Sequence, residues 1–419
     1  MTDSREIARV SRVIEYGNRN STLLEQDSIK VVINDQGGMI PELSSIREKG
    51  GINAHWIPWF RSGAGKAFND SEHGAFWKAN LLYHLAGNFP CAPNFGPGHI
   101  VDGVNMPPHG WTANLQWKFI KSGIDEESGA AWAYSSLKSP DKAVPLFFQK
   151  LDVVVPSHPV HYTSLTVSNQ GTQDISICTG QHNTLGPPLL QPGCRISGAA
   201  QAWAIPPAGG EFDTTTRLTL GAEFKTLGEA PLARGGRVDI SLVPGPVGYT
   251  DFAVGVIPAA ARLGWSALVN PSLKLAYVCF FTGPAAQGAD DIILYFNDLW
   301  MQYGGRPFTP WAVHEGGTDL SYCLGTENSV AAYAYGLGYS RQVKTVLGAP
   351  ATVTIPAKGA KTLRYGSLFA PYDETGLDQG ITGIEGESSE LVCIGKGKSQ
   401  RFKADPAFTL LKSLQGRYT

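Results

Sequence analysis

The 419-residue chain is short of charge: Asp, Glu, Lys and Arg make up 17% of it, against about 25% in an average globular protein, and the formal net charge is only -2. Its lysines and arginines form no basic block, so the electrostatic footprint of a phosphate-backbone binder is missing and nucleic acid is not an expected partner. No run approaches the roughly 20 apolar residues needed to cross a bilayer, and no membrane span is expected. The opening segment, MTDSREIARVSRVIEYGNRN, has scattered charges and neither the apolar core nor the small-residue cleavage site of a secretory signal, which makes cytoplasmic residence the default expectation. The six cysteines (Cys91, Cys178, Cys194, Cys279, Cys323, Cys393) are far apart with no C-x-x-C, and read as reduced, mostly buried thiols. A dinucleotide fingerprint is lacking, and Ser62-Gly63-Ala64-Gly65-Lys66-Ala67 has a Gly-Lys pair without the rest of a phosphate loop, so no cofactor is expected.

Helical periodicity is scarce as well. The modest candidates are Ser4 to Tyr16 and Pro406 to Leu414, both peripheral by position. What is abundant is turn chemistry: 49 glycines and 28 prolines, about 12% and 7% of the chain against usual values near 7% and 5%, without a collagen period. Strand-like runs recur between these turns, among them Ser28 to Asn34, Phe147 to Val155, Tyr162 to Ser168, Asp174 to Thr179, Leu275 to Phe281 and Ile292 to Phe296. No long polar linker interrupts them. The expectation is an all-β chain, one large β-sandwich domain over residues 1–419 with long loops over one face. Residues 52–108, rich in aromatics, Gly and Pro and carrying His55, His73, His84 and His99, read as a loop-rich segment over a binding cleft.

Two distant segments share a pattern: Cys178-Thr179-Gly180-Gln181-His182 and Cys323-Leu324-Gly325-Thr326-Glu327. Strand alternation puts Cys178, Gly180 and His182 on one face, and likewise Cys323, Gly325 and Glu327. Small residues leave volume above a sheet, with a histidine and a carboxylate at its rim. A third segment runs from His109 to Trp117. Read as a strand, it points His109, Trp111, Ala113, Leu115 and Trp117 one way, and a histidine beside an indole suits a sugar's hydroxyls and C–H faces.

These motifs, in order with Asn34-Asp35-Gln36-Gly37-Gly38-Met39-Ile40 before them, resemble the aldose 1-epimerase (galactose mutarotase-like) superfamily. His109-Gly110 looks like that family's first active-site histidine, and Thr166-Val167-Ser168-Asn169-Gln170-Gly171 followed by Thr179-Gly180-Gln181-His182 like its second-histidine block, the two histidines being 73 positions apart. The chain departs from the family where Asn183-Thr184-Leu185 replaces an aromatic pair, and where no arginine-rich segment precedes His-Gly.

The resemblance implies a galactose mutarotase-like supersandwich binding a small-molecule sugar or sugar derivative. It implies anomer interconversion by ring opening, with Glu327 taking the anomeric proton, His182 protonating the ring oxygen and His109 steadying developing charge. Glu315, in a probable turn, competes with Glu327 for the base role. Asn94, Trp111, Arg306, His314 and Glu315 are candidate substrate contacts, and Arg61, Arg195 and Arg306 could hold an anionic substituent. Neither the sugar nor the oligomeric state follows from the sequence. The rival class is a non-catalytic carbohydrate-binding or sensing protein on the same fold. A metal site has no compact ligand pair behind it, since His158 and His161 would point to opposite faces of a strand; Asp290-Asp291 reads as a turn rather than half of a glycosidase pair.

Overall fold

In the computed structural model, which describes residues 8–46, 51–211, 213–286, 288–373 and 375–419, the chain is built around two eight-stranded antiparallel sheets. The first contains the long strands Leu146–Val154, Val160–Asn169, Leu263–Asn270, Leu275–Thr282 and Ala360–Pro371. The second, which carries the site, orders Tyr249–Val256, Phe296–Tyr303, Cys323–Val330, Thr179–His182 and Phe89–Cys91 as neighbours.

Alternation decides what each face of the first sheet buries. Along Leu275–Thr282, Tyr277, Cys279 and Phe281 enter the main core between the two sheets, while Ala276, Val278 and Phe280 enter a second core behind. That second core is closed by a three-stranded meander over Gly383–Lys403 and by the helix Thr409–Tyr418, through Leu391, Phe402, Leu411 and Leu414. Both faces of the strand are therefore dry, which is why YVCFF reads as a continuous apolar run. The six cysteines are free and buried, as small apolar side chains would be.

The N-terminal expectation is corrected. Residues 9–15 form a strand paired residue for residue with Arg19–Glu25, not a helix, and residues 4–7 lie outside the described residues. Cross-strand pairing supplies the backbone hydrogen bonds a short amphipathic helix would otherwise have to make alone. The strand expected over Asp174 to Thr179 splits: Ile175–Ile177 pairs with Val353–Ile355, whereas Thr179–His182 joins the site sheet. The strand expected from Ile292 begins only at Phe296. At the other end, Thr409–Tyr418 is helical, overlapping the expected segment.

A second correction falls at the site. The residues after His109 form a short helix, Gly110–Asn114, instead of an extended strand. His109 and Gly110 both have positive φ (57° and 79°), turning the chain sharply into that helix. Gly110 lies so close to the Ala92 carbonyl that a Cβ would overlap it. Consequently Trp111 does not stand beside His109 but is buried in the main core.

Candidate active site

The register of the site sheet fixes a row of side chains across its strands. Val254 stands opposite Asp298, Asp298 opposite Glu327, and His182 opposite Phe89. Since Gln181 is paired with Asn328, the next residues, His182 and Glu327, come side by side. Directly opposed residues share a face, so Val254, Asp298, Glu327, His182 and Phe89 all project from the same side of the sheet. The intervening residues point the other way: Asn328 accepts from Tyr365 Oη at 2.5 Å, and Asn183 donates to Thr326 Oγ1 at 2.8 Å and accepts from Tyr277 Oη at 2.7 Å. Asn183 thus ties the two sheets together at the position where the chain departs from its family resemblance.

From this row His182 and Glu327 line the floor of a cleft of about 260 Å³, near the lower end of small-molecule sites. Glu327 Oε1 lies 3.3 Å from His182 Nε2. The other ring nitrogen, Nδ1, is 2.9 Å from Thr184 Oγ1; an Nδ1–H donating to that hydroxyl leaves the Nε2 lone pair facing the carboxyl. His182 stacks on Phe89 at 4.4 Å between centroids, and His109 meets it edge-on at 4.7 Å. His109 is held in turn by Cys91 Sγ, 3.6 Å from its Nδ1. Room for the Glu327 carboxyl comes from Gly325, where a Cβ would overlap Oε1 and press on Trp300. Gly180, which alternation also placed as a spacer, does something else: its space is filled by Phe95.

Burial governs the charge state. Removal from water pushes Glu327 well above the usual carboxylate range, helped by Asp298 and Glu211. It pulls His182 well below the usual imidazole range, with His109 adding to the effect, and His109 itself down to about 4. Burial thus disfavours both charged forms, and the contact between Glu327 and His182 is one across which a proton can pass, not a fixed ion pair. The two together carry one mobile proton.

Above the floor the walls are apolar and aromatic. Leu81, Leu82 and Leu85 come from the segment around the short helix Asn80–His84, and Trp300, Trp311 and Phe308 from the opposite side. Arg306 lies over the Trp311 ring at 4.3 Å and pairs with Glu211 at 3.1 Å, roofing the cleft with a charged pair. Residues within 78–85 and 96–98, with Pro108, supply one wall from within the segment read as loop-rich, although it contains the helices Asp70–Trp77 and Asn80–His84.

Of the residues singled out by sequence, the fold brings together His109, His182, Glu327 and Arg306. Asn94 lies behind the wall: its amide donates to the Pro97 and Pro107 carbonyls and its Oδ1 accepts from the Leu337 N–H, so it fixes the loop that lines the cleft. His314 and Glu315 are exposed on a turn and do not line the cleft. Arg61 is spent on the Tyr16 and His84 carbonyls and Asn34, and Arg195 faces Asp239. Asp298, Trp300 and Trp311 were missed. In Phe296-Asn297-Asp298-Leu299-Trp300 the signal was a carboxylate at an alternating position inside an apolar strand, sharing its face with Trp300. Among the described residues, no three His, Cys, Asp or Glu side chains converge as a metal-ligand set, and no helix is long and apolar enough to cross a membrane.

No protein-family model and no curated protein sequence matches the chain. Solved structures do match. A candidate aldose 1-epimerase of Klebsiella pneumoniae superposes with a TM-score of 0.62 at 12% identity, covering 86% of this chain and 83% of its own. A galactose mutarotase-like protein of Clostridium acetobutylicum gives 0.56 at 11% identity, covering 88% and 100%. A galactose mutarotase related enzyme of Lactobacillus acidophilus gives 0.51 at 12% identity, covering 84% and 99%. At such identities the likeness is one of fold: the chain has the mainly-β galactose mutarotase-like fold, as its motifs led one to expect.

Proposed function

We propose that the cleft binds a small sugar in its cyclic hemiacetal form and interconverts its anomers by opening and reclosing the ring. The observation that carries this reading is the contact of Glu327 with His182 on adjacent strands, beside His109 and beneath an aromatic wall. Ring opening needs a proton taken from the anomeric hydroxyl and another delivered to the ring oxygen, so an acid and a base sharing one mobile proton leave the site unchanged after each passage. In the working form that proton sits on His182. Glu327 as carboxylate takes the anomeric proton, the His182 imidazolium gives its own to the ring oxygen as the C–O bond breaks, and closure on the other carbonyl face inverts the anomer. His109 stands where it can donate to the oxygen that gains negative character. Trp300 and Trp311 offer faces for the sugar's C–H surface, and Arg306 offers a donor at the roof.

The test is anomer exchange measured by NMR over a panel of reducing sugars, with Glu327→Gln and His182→Ala as controls. Faster exchange for at least one sugar, lost in both variants, supports the reading. Binding without faster exchange for any sugar converts the protein to the rival class, a carbohydrate-binding module. Full activity in Glu327→Gln removes the base from Glu327.

A further inference from the structure

One titratable group buried beside the cleft has no place in the mechanism above. Asp298 is fully buried, neither of its carboxyl oxygens has a well-formed hydrogen bond, and it sits in the row between Val254 and Glu327. A carboxylate flanked by a valine and by another carboxyl is costly to ionise, and two adjacent buried carboxyls do not both ionise readily. We propose that Asp298 is a positioning residue that keeps its own proton so that the single negative charge of the Asp298–Glu327 pair resides on Glu327. This deepens the anomer-exchange reading and, for its kinetic arm alone, rests on it.

The surroundings leave Asp298 as the group able to play this part. Facing Glu327 are His182 from the neighbouring strand, His109 from the turn before the Gly110–Asn114 helix, Cys91 from the strand beyond, and Glu211 with Arg306 from the roof; Cys323 lies on its own strand and Tyr365 on the sheet below. His109 is held neutral by burial, the thiols and the phenol are pushed further up, and Glu211 is already paired with Arg306. Glu327 can pass its proton to His182, 3.3 Å away, and so carry the charge beside an imidazolium; Asp298 has no such partner, and burial pushes it up to about 7, against a weaker opposing effect of the Ser329 hydroxyl. Once it ionises, its charge drives the mobile proton back onto Glu327 and the base is lost.

The test pairs two readouts on the full-length protein. In the first, the exchange rate of the best sugar is followed against pH after subtraction of the uncatalysed rate. Wild type is expected to fall about tenfold per pH unit above a midpoint near 7. Asp298→Asn, neutral at every pH, should stay active through that range, and Asp298→Glu should keep the fall. An unchanged alkaline fall in folded Asp298→Asn overturns the proposal. The second readout needs no turnover: infrared difference titration of the carboxylic acid band. A band titrating near neutral pH in wild type, absent from Asp298→Asn, and moved to lower pH in Glu327→Gln supports the shared proton. If Asp298→Asn does not fold, wild type and Glu327→Gln decide the matter, since a band with the same midpoint in both means the carboxyls are not coupled. Should no sugar exchange, the parent reading fails while the infrared result still upholds or sinks the pair.

Discussion

Adding a single methyl group at Gly325 tests the geometry of the cleft floor. An alanine Cβ there would overlap Glu327 Oε1 and lie 3.0 Å from Trp300 Cβ, tighter than all but a small minority of real Cβ contacts. Trp300 is packed against Trp56 and Trp311 and cannot retreat easily, so the Glu327 carboxyl is the group that must swing away from His182. Overpacking of this kind costs about 1–3 kcal/mol. With an unfolding entropy of about 2.1 cal/mol/K per residue, a chain of this length loses only about 1 °C of Tm per kcal/mol, so a fall of about 1–3 °C is expected by calorimetry. The effect on turnover is larger, because a displacement of about 1 Å in a reacting group costs on the order of 100-fold. Gly180→Ala is the matched control, since its methyl meets the Asn328 carbonyl and Phe95 rather than Glu327. It should lower Tm at least as much while sparing more of the exchange rate. Gly325→Ala with undiminished exchange and unchanged Tm would refute the placement of the carboxyl.

Other consequences lie elsewhere in the fold. Lys150, Asp152 and His161 form a fully buried trio, with Asp152 2.7 Å from the lysine and 3.1 Å from the histidine. Asp152→Ala strands a buried cation and should cost about 3–5 kcal/mol by denaturant unfolding, whereas Lys150→Met with Asp152→Leu should cost far less. His55, wholly buried between the Ile40 carbonyl and Tyr277 Oη, is held down to about 3, below its unfolded value of about 6.5. Between those values the unfolded chain binds the extra proton, so stability rises with pH and is lost as pH falls from about 6.5 toward 3, by up to about 1.4 kcal/mol per unit for this one group. His55→Gln should flatten that slope in unfolding titrations; an unchanged slope would assign the acid sensitivity elsewhere. At the roof, Arg306→Ala removes the charged donor held over Trp311, and sugar affinity by calorimetry is expected to weaken about 10-fold or more, the scale of one hydrogen bond to a charged group.

How much of this was legible in the residues follows from which physical signals are local. Alternation and turn punctuation are local, and they located the long strands such as Leu275–Thr282 and the shared face of Gly325 and Glu327. The pairing partner is not local. Nothing within Thr179–His182 says that it will lie against Cys323–Val330 with His182 beside Glu327, and it was the matching small-small-polar pattern of the two segments that hinted at it. The segment after His109 misled because Trp111, Ala113 and Trp117 alternate by chance. The structure meets their burial with a helical turn, which the tight approach of Gly110 to Ala92 imposes from outside the segment. Asp298 escaped for a related reason: a carboxylate in an apolar strand reads as an edge or a turn until its neighbours across the sheet are known. The second core was visible only as excess hydrophobicity, since the meander and C-terminal helix that cover it come more than 100 residues later than the strand Leu275–Thr282 they protect.

The most direct measurement is two-dimensional exchange NMR on aldoses labelled at the anomeric carbon, comparing wild type with Glu327→Gln at equal concentration and equal sugar occupancy. Cross-peaks between the α and β anomers are expected to grow with the wild-type protein and to fall by about 100-fold or more in the variant, the scale of losing a positioned general base. Wild type that binds a sugar yet leaves its anomer exchange at the uncatalysed rate would contradict the proposed anomer interconversion.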